Sequence, residues 1–212
     1  GISASEVYAF AKKRPDPEPV PTSSPAPVPP AGPALKLGEI GIAGSGCTPG
    51  TATVELSEDQ KKVRVHFTDY GGVVTDSKKL IRKNCTLAIP VLDVGEDKKV
   101  VVKGAEILGA YELSALQTAQ VSSEIFIAGG NSGQIVQETY GSDEGGKVGA
   151  VLLQHDADTL PLGECGKDSV VRANTSLLIK QASSALGSAW TQSQGEVKLT
   201  EVVIDLALES CE

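Results

Sequence analysis

The sequence has no methionine, and only four of its 212 residues are cysteine. An even number of cysteines fits two disulfides, which persist only outside the reducing cytosol. The chain also begins with glycine, which favours a mature chain whose export signal has been removed. We therefore expect a protein that is secreted or held at the cell surface, with disulfides formed by Cys47, Cys85, Cys165 and Cys211.

Other absences narrow the classes of function. No apolar run approaches the ~20 residues of a membrane-spanning helix, so no membrane span is predicted. The net charge is −8 and the basic runs are short, which argues against a nucleic-acid partner. Aromatic residues make up only 4% of the chain, and we interpret the single tryptophan, Trp190, as a residue of the core or of a plug at one end of the domain. No motif for a cofactor is found, and none is expected.

The residues that are abundant predict an all-β fold. Valine, isoleucine and threonine favour strands, and glycine supplies the turns between them. Val63, Val65 and Phe67 alternate with Arg64 and His66, which is the pattern of a half-buried strand. About ten such segments follow one another, with a turn every ten residues or so. This spacing predicts two antiparallel sheets packed face to face, as a jelly-roll-like sandwich.

Some boundaries inside this pattern follow from single residues. The run Asp69–Gly72 is expected to end the strand that begins near Lys62. Pro90 predicts a sheet edge or a bulge, because proline cannot donate to a strand ladder. The long apolar segment from Val100 to Leu113 predicts either two strands or one strand that bends at Gly104 or Gly109.

Proline divides the chain into three parts. Nine of the twelve prolines lie between Pro15 and Pro33. Because proline fixes φ and lacks a donor, this stretch predicts an extended polyproline spacer that spans roughly 60 Å. The predicted organisation is therefore an N-terminal arm over residues 1–14, a spacer over 15–36 and a disulfide-stabilised sandwich over 37–212.

The arm carries an apolar set that predicts contact with a partner: Ile2, Val7, Tyr8 and Phe10. Its sequence fits a strand, a short capped helix or the remainder of a signal-peptidase site. Docking on a neighbouring copy by strand addition would make a homo-oligomer, although the arm could also fold back on its own domain. The first hypothesis for function is therefore an exported structural or surface-assembly subunit, such as a filament or coat component.

The preferred pairing of the cysteines joins nearest neighbours, Cys47–Cys85 and Cys165–Cys211, one of three possible connectivities. A zinc site is disfavoured, because no two cysteines have the close spacing of metal ligands. The cysteines also lie in recognisable contexts, Gly44–Thr51, Arg82–Cys85 and Cys165-Gly166, with Asn174–Ser176 beyond. From Ile40 to Leu208 the chain resembles a family of small secreted proteins of bacteria and fungi known only as a domain of unknown function. That resemblance implies export and a cystine-stabilised β domain, with no established chemistry.

Candidate sites outside the cysteines are weak, and no catalytic residue is assigned. Gly130–Gly133 resembles the nucleophile loop of trypsin-like proteases, but neither histidine lies in a matching context. Asp156 and Asp158 could ligate a hard cation, and Arg82-Lys83 could bind an anion, but a solvated surface is the preferred interpretation of each.

Two further positions, Asn84 and Asn174, match the glycosylation acceptor pattern. Beside the assembly hypothesis stand two alternatives. The first is a monomeric secreted module that binds a glycan or a host protein. The second is a secreted hydrolase, which a cleft lined with two carboxylates of perturbed pKa or a contact between a serine and a histidine would support.

Overall fold

A computed structural model describes residue 19 and residues 33–130, 133–141, 145–182 and 195–212. The described residues form eleven strands and one turn of 3-10 helix, Ala157–Thr159. No helix among them is long and apolar enough to cross a membrane. The strands are β1 (Lys36–Leu37), β2 (Gly41–Ala43), β3 (Ala52–Leu56), β4 (Lys62–Val74), β5 (Leu80–Leu92), β6 (Lys98–Leu113), β7 (Gln117–Ile127), β8 (Ile135–Tyr140), β9 (Lys147–Gln154), β10 (Ser169–Gln181) and β11 (Gly195–Ser210).

The strands form two antiparallel sheets. The first sheet has the order β1-β5-β10-β7-β8, with β2 also paired to β5, and the second has the order β3-β4-β11-β6-β9. Four pairs are nested along the chain: β4 with β11, β5 with β10, β6 with β9, and β7 with β8. Successive nested pairs belong alternately to the two sheets, which is the winding of a jelly roll. The predicted all-β sandwich with jelly-roll topology is confirmed.

The core lies between the sheets and is built by the two-residue period of the strands. In β7 every second residue is buried from Gln117 to Ile127, and the residues between them are only half-buried. Val63, Val65 and Phe67 of β4 are buried as predicted, while Arg64 and His66 face outwards. Since inward residues are apolar with few exceptions, burial fixes the strand register.

The predicted end of the strand that begins at Lys62 was wrong. β4 does not end at Asp69–Gly72 but continues to Val74. Three of its residues, 67–69, stand opposite Thr200 of β11, so an irregularity in the register replaces the expected turn. Beyond it, Gly71 runs so close to β11 that a Cβ would lie 2.1 Å from the Val197 carbonyl oxygen.

Pro90 lies neither at a sheet edge nor in a bulge, because β5 has partners on both sides. Its carbonyl accepts a hydrogen bond from the Gly38 N–H at 2.9 Å, between the residues that pair with β1 and those that pair with β2. The amide position of a strand residue faces the same side as its carbonyl. The missing donor of Pro90 therefore faces the gap between β1 and β2, where no ladder bond is lost.

The long segment from Val100 to Leu113 belongs to one strand, β6, and not to two. Asp205 pairs with Gly104 and Leu206 with Val102, so Lys103 is an extra residue that bends the strand. The alternative of a single strand is the correct one, although the extra residue is Lys103, next to Gly104, and not a glycine.

Candidate functional site

Both expected disulfides are present. Cys47 and Cys85 join the loop after β2 to β5, with their Cα atoms 5.6 Å apart and only 1% of each residue exposed. Cys165 and Cys211 join the loop before β10 to the end of the chain, at a Cα separation of 5.9 Å. The first disulfide is part of the core, whereas Cys165 is exposed to solvent.

The two cysteine motifs meet around the first disulfide. The Ser45 hydroxyl donates to the side-chain oxygen of Asn84 at 3.0 Å and accepts the Asn84 backbone N–H at 3.0 Å. The Gly46 N–H donates to the Asn84 carbonyl at 2.8 Å. Gly44 has φ +142°, and a Cβ there would lie 2.3 Å from the same carbonyl. These motifs therefore have a structural role, which is to fix Asn84 on the outer face of β5.

Asn84 belongs to a set of polar side chains that crosses the outer face of the first sheet in two rows. In the first row Thr86 of β5 pairs with Asn174 of β10, which pairs with Glu124 of β7. In the next row Asn84 pairs with Ser176, and Ser176 with Ser122. Together they line a surface groove of about 270 Å³. We call this surface the polar groove, and it is formed by Asn84, Thr86, Ser122, Glu124, Asn174 and Ser176.

The polar groove combines hydrogen-bonding groups with apolar surface at its rim. Ile135 of β8 pairs with Glu124 in the first row, and 62% of it is exposed. Phe126 pairs with Arg172 in the neighbouring row and is half-buried. The side-chain oxygen of Asn174 is buried with no hydrogen-bond partner among the described residues. An unsatisfied buried acceptor is unusual in a folded protein, so the Asn174 oxygen is free to accept a further hydrogen bond.

Beneath the polar groove, the inner face of the same strands carries a short chain of buried polar groups. The Tyr70 hydroxyl of β4 lies 2.9 Å from the Thr175 hydroxyl of β10, and Thr175 donates to the Cys85 carbonyl at 3.2 Å. This chain links the two sheets at the level of the first disulfide. Burial raises the pKa of Tyr70 to about 12.

A contact between a serine and a histidine is also present inside the sandwich. The Nε2 atom of His155 lies 2.9 Å from the Ser123 hydroxyl. Only 8% of His155 and 2% of Ser123 are exposed, so a substrate carbonyl cannot reach the hydroxyl in this conformation. Desolvation lowers the pKa of His155, although the nearby Asp156 carboxylate acts in the opposite direction. The contact satisfies two buried polar groups and gives no support to the hydrolase alternative.

The weak metal candidates do not form a site. Asp156 and Asp158 are exposed, and their neighbour His155 points into the core. Within the part of the chain that the structure describes, no three acidic, histidine or cysteine side chains are grouped to hold a metal ion. Arg82 and Lys83 point in opposite directions, because the Lys83 ammonium donates to the Asp69 carbonyl at 3.0 Å while Arg82 is exposed.

Several predicted positions lie outside the described residues: Ile2, Val7, Tyr8, Phe10, Asn131, Ser132 and Trp190. The arm hypothesis and the protease-like loop therefore stay predictions. Sequence reasoning also missed most of the polar groove. Its only signal was the pair of acceptor asparagines, Asn84 and Asn174, which both lie in the groove.

The fold and the cystine arrangement define a disulfide-stabilised jelly-roll domain. The chain belongs to the family described as Domain of unknown function (DUF4360), whose model matches residues 33–211. The resemblance found in the sequence is thereby confirmed. No curated protein matched the sequence.

Three solved structures show distant likeness. TmCBM61 in complex with β-1,4-galactotriose is 13% identical, covers 81% of this chain and 88% of its own, and has a TM-score of 0.23. A family 11 carbohydrate-binding module from Clostridium thermocellum is 10% identical, with coverages of 79% and 86% and a TM-score of 0.21. The enzymatically active domain of bacteriophage CBA120 tailspike protein 4 is 9% identical, with a TM-score of 0.22; the match covers 81% of this chain but only 19% of the tailspike chain. Likeness of this degree says nothing about what this chain binds.

Proposed function

We propose that this domain is an exported, non-catalytic glycan-binding module whose site is the polar groove. The observation that carries the proposal is the row geometry: hydroxyl, amide and carboxylate groups from three adjacent strands face one open surface. A sugar offers hydroxyl groups that both donate and accept, together with apolar C–H faces. The polar groove supplies matching partners, with Ile135 and Phe126 as apolar surface at its rim.

The chemistry of the groove fits a glycan better than an apolar small molecule. Pockets for drug-like ligands are mostly apolar and enclosed, with a few polar groups. Here the lining is mainly polar, and Ser176 at its centre is exposed. The two disulfides support the exported setting, because such bonds are typical of oxidising compartments.

The assembly hypothesis rests on the arm, which lies outside the described residues. No contact among the described residues favours a filament or coat subunit over a binding module. Docking through the arm therefore stays a prediction, and we do not make it the proposed function.

The test is a steric block of the polar groove. A Ser176→Trp variant places an indole ring at its centre, and tryptophan suits an exposed strand position. The matched control is Lys198→Trp, at an exposed position of β11 in the second sheet. We expect the wild type and the control to retain the same oligosaccharides on a glycan array, and Ser176→Trp to lose them with its melting temperature unchanged.

Two results would refute the proposal. One is that the wild type retains no glycan on a broad array. The other is that Ser176→Trp binds with wild-type affinity in titration calorimetry.

A further inference from the structure

The outer face of the first sheet carries more positive than negative charge. The two short strands β1 and β2 lie at one edge of this face, where the outward Lys36 is paired with Asp93 at 2.8 Å, and the rest of it is formed by β5, β10, β7 and β8. Three cations, Arg82, Arg172 and Lys180, alternate with buried inward neighbours and so face outwards with the polar groove. The outward carboxylate of these strands is Glu124. This is unexpected in a chain with a net charge of −8.

These cations are also unpaired. Neither Arg82, Arg172 nor Lys180 forms an ion pair with any described residue. Several charges on the second sheet do neutralise one another, as in Arg64–Glu201 at 2.7 Å and Lys62–Asp205 at 3.7 Å. Among the described residues, unpaired cations also occur on the second sheet, as at Lys147, so what distinguishes Arg82 and Arg172 is their position beside the polar groove.

The two arginines lie on either side of the polar groove. Arg172 is one row beyond the Asn174 row, and Arg82 is one row beyond the Asn84 row. Rows along a strand are about 7 Å apart, so the two Cα atoms are roughly 20 Å apart along the strands. A guanidinium group binds carboxylate or sulfate with two parallel hydrogen bonds. An extended polymer lying along the groove would therefore meet sugar-binding side chains in the middle and an anion-binding side chain at each end.

We infer that the ligand of the polar groove is an anionic polysaccharide, whose carboxylate or sulfate groups pair with Arg82 and Arg172. The inference rests on the proposed function and specifies its ligand class. It differs from a general attraction between opposite charges, because it assigns the anion contacts to two positions.

The experiment compares charged polymers with their neutral parents. Polygalacturonate is tested against its methyl ester and dextran sulfate against dextran, so the two arms distinguish carboxylate from sulfate. The proteins are the wild type, the Arg82→Gln/Arg172→Gln double variant and a Lys147→Gln control. Lys147 lies on the second sheet, is exposed and has no ion pair with a described residue.

We expect at least one charged polymer to bind tenfold or more tightly than its parent, and the affinity to fall as salt is raised. The double variant should lose about tenfold or more, the effect of two charge-assisted contacts, and Lys147→Gln should lose less than twofold. Equal binding of charged and neutral polymers, equal losses in the double variant and the control, or tighter binding to duplex DNA would overturn the inference. Those results leave glycan binding intact if Ser176→Trp still abolishes it, whereas failure of every glycan to bind overturns both proposals.

Discussion

Tyr70 and Thr175 are joined by hydrogen bonds between the two sheets. The direction of these bonds determines which of two substitutions lowers the free energy of unfolding more. Thr175 has one hydroxyl proton and donates it to the Cys85 carbonyl, so the Tyr70 hydroxyl must be the donor to Thr175. A Tyr70→Phe substitution leaves Thr175 with its acceptor and should cost about 1 kcal/mol of unfolding free energy. A Thr175→Val substitution leaves the buried Tyr70 hydroxyl without an acceptor and should cost more, up to about 3 kcal/mol.

The double variant separates this effect from simple packing. In the Tyr70→Phe variant the tyrosine hydroxyl is absent, so a further Thr175→Val substitution leaves no buried donor without an acceptor. The combined loss should therefore be smaller than the sum of the single losses by about 1 kcal/mol. The measurement is urea unfolding followed by circular dichroism at pH 7, with the denaturant slope unchanged among the four proteins.

A pH series gives an independent check on Tyr70. Its pKa is raised to about 12 in the folded protein, from an ordinary value of 10. The unfolded chain therefore loses this proton first, and stability that is complete below pH 10 should fall as the pH rises towards 12. Tyr70→Phe should lack this part of the alkaline loss. If Tyr70→Phe costs as much as Thr175→Val and the two losses add, the assigned direction of the hydrogen bonds is wrong.

Two further predictions concern the interior and the disulfides. Desolvation lowers the pKa of His155 below its ordinary 6.5, so the free energy of unfolding should be complete above that pH and fall below it. In urea unfolding, His155→Phe should lose less stability in acid than the wild type does. An equal loss in the wild type and in His155→Phe would contradict the burial argument. Mild reduction should open Cys165–Cys211 before the buried Cys47–Cys85, as detected by alkylation and mass spectrometry. Loss of Cys47–Cys85, whose cysteines are 38 residues apart, should lower the free energy of unfolding by about 4 kcal/mol. Simultaneous opening of both would show that burial does not protect the first disulfide.

The fold class could be predicted from the sequence because buried and outward residues alternate along a strand, and this alternation is visible within the sequence of each strand alone. Val63, Val65 and Phe67 are sufficient to identify the inward face of β4. The end of that strand could not be found in this way, because the residues 67–69 keep the chain extended where a turn was expected. The prediction for Pro90 was wrong for a related reason. A proline indicates only that no backbone donor is needed at its position. Whether the position lies at a sheet edge or opposite a gap between two partner strands depends on where β1 and β2 pair with β5.

The polar groove was beyond sequence reasoning for a different reason. Asn84 and Ser176 are neighbours in a row but are separated by 92 positions in the chain, and polar residues on an outward face have no periodicity of their own. The Arg82-Lys83 pair illustrates the problem, since adjacent strand residues point to opposite faces. One member faces solvent and the other reaches the Asp69 carbonyl. Only the strand register shows which cation belongs with the groove.

The construction of the proposed site has a consequence for how it would bind. Its polar side chains stand on the central strands of the first sheet, and the disulfide and the Tyr70–Thr175 contact hold those strands from below. Binding sites on rigid strands lose little conformational entropy when a ligand arrives, in contrast to sites on loops. The groove is also open and wet, so each polar contact replaces a contact with water and gains little by itself. Affinity should therefore come from many modest contacts along a polymer, and short oligosaccharides should bind much more weakly than long chains.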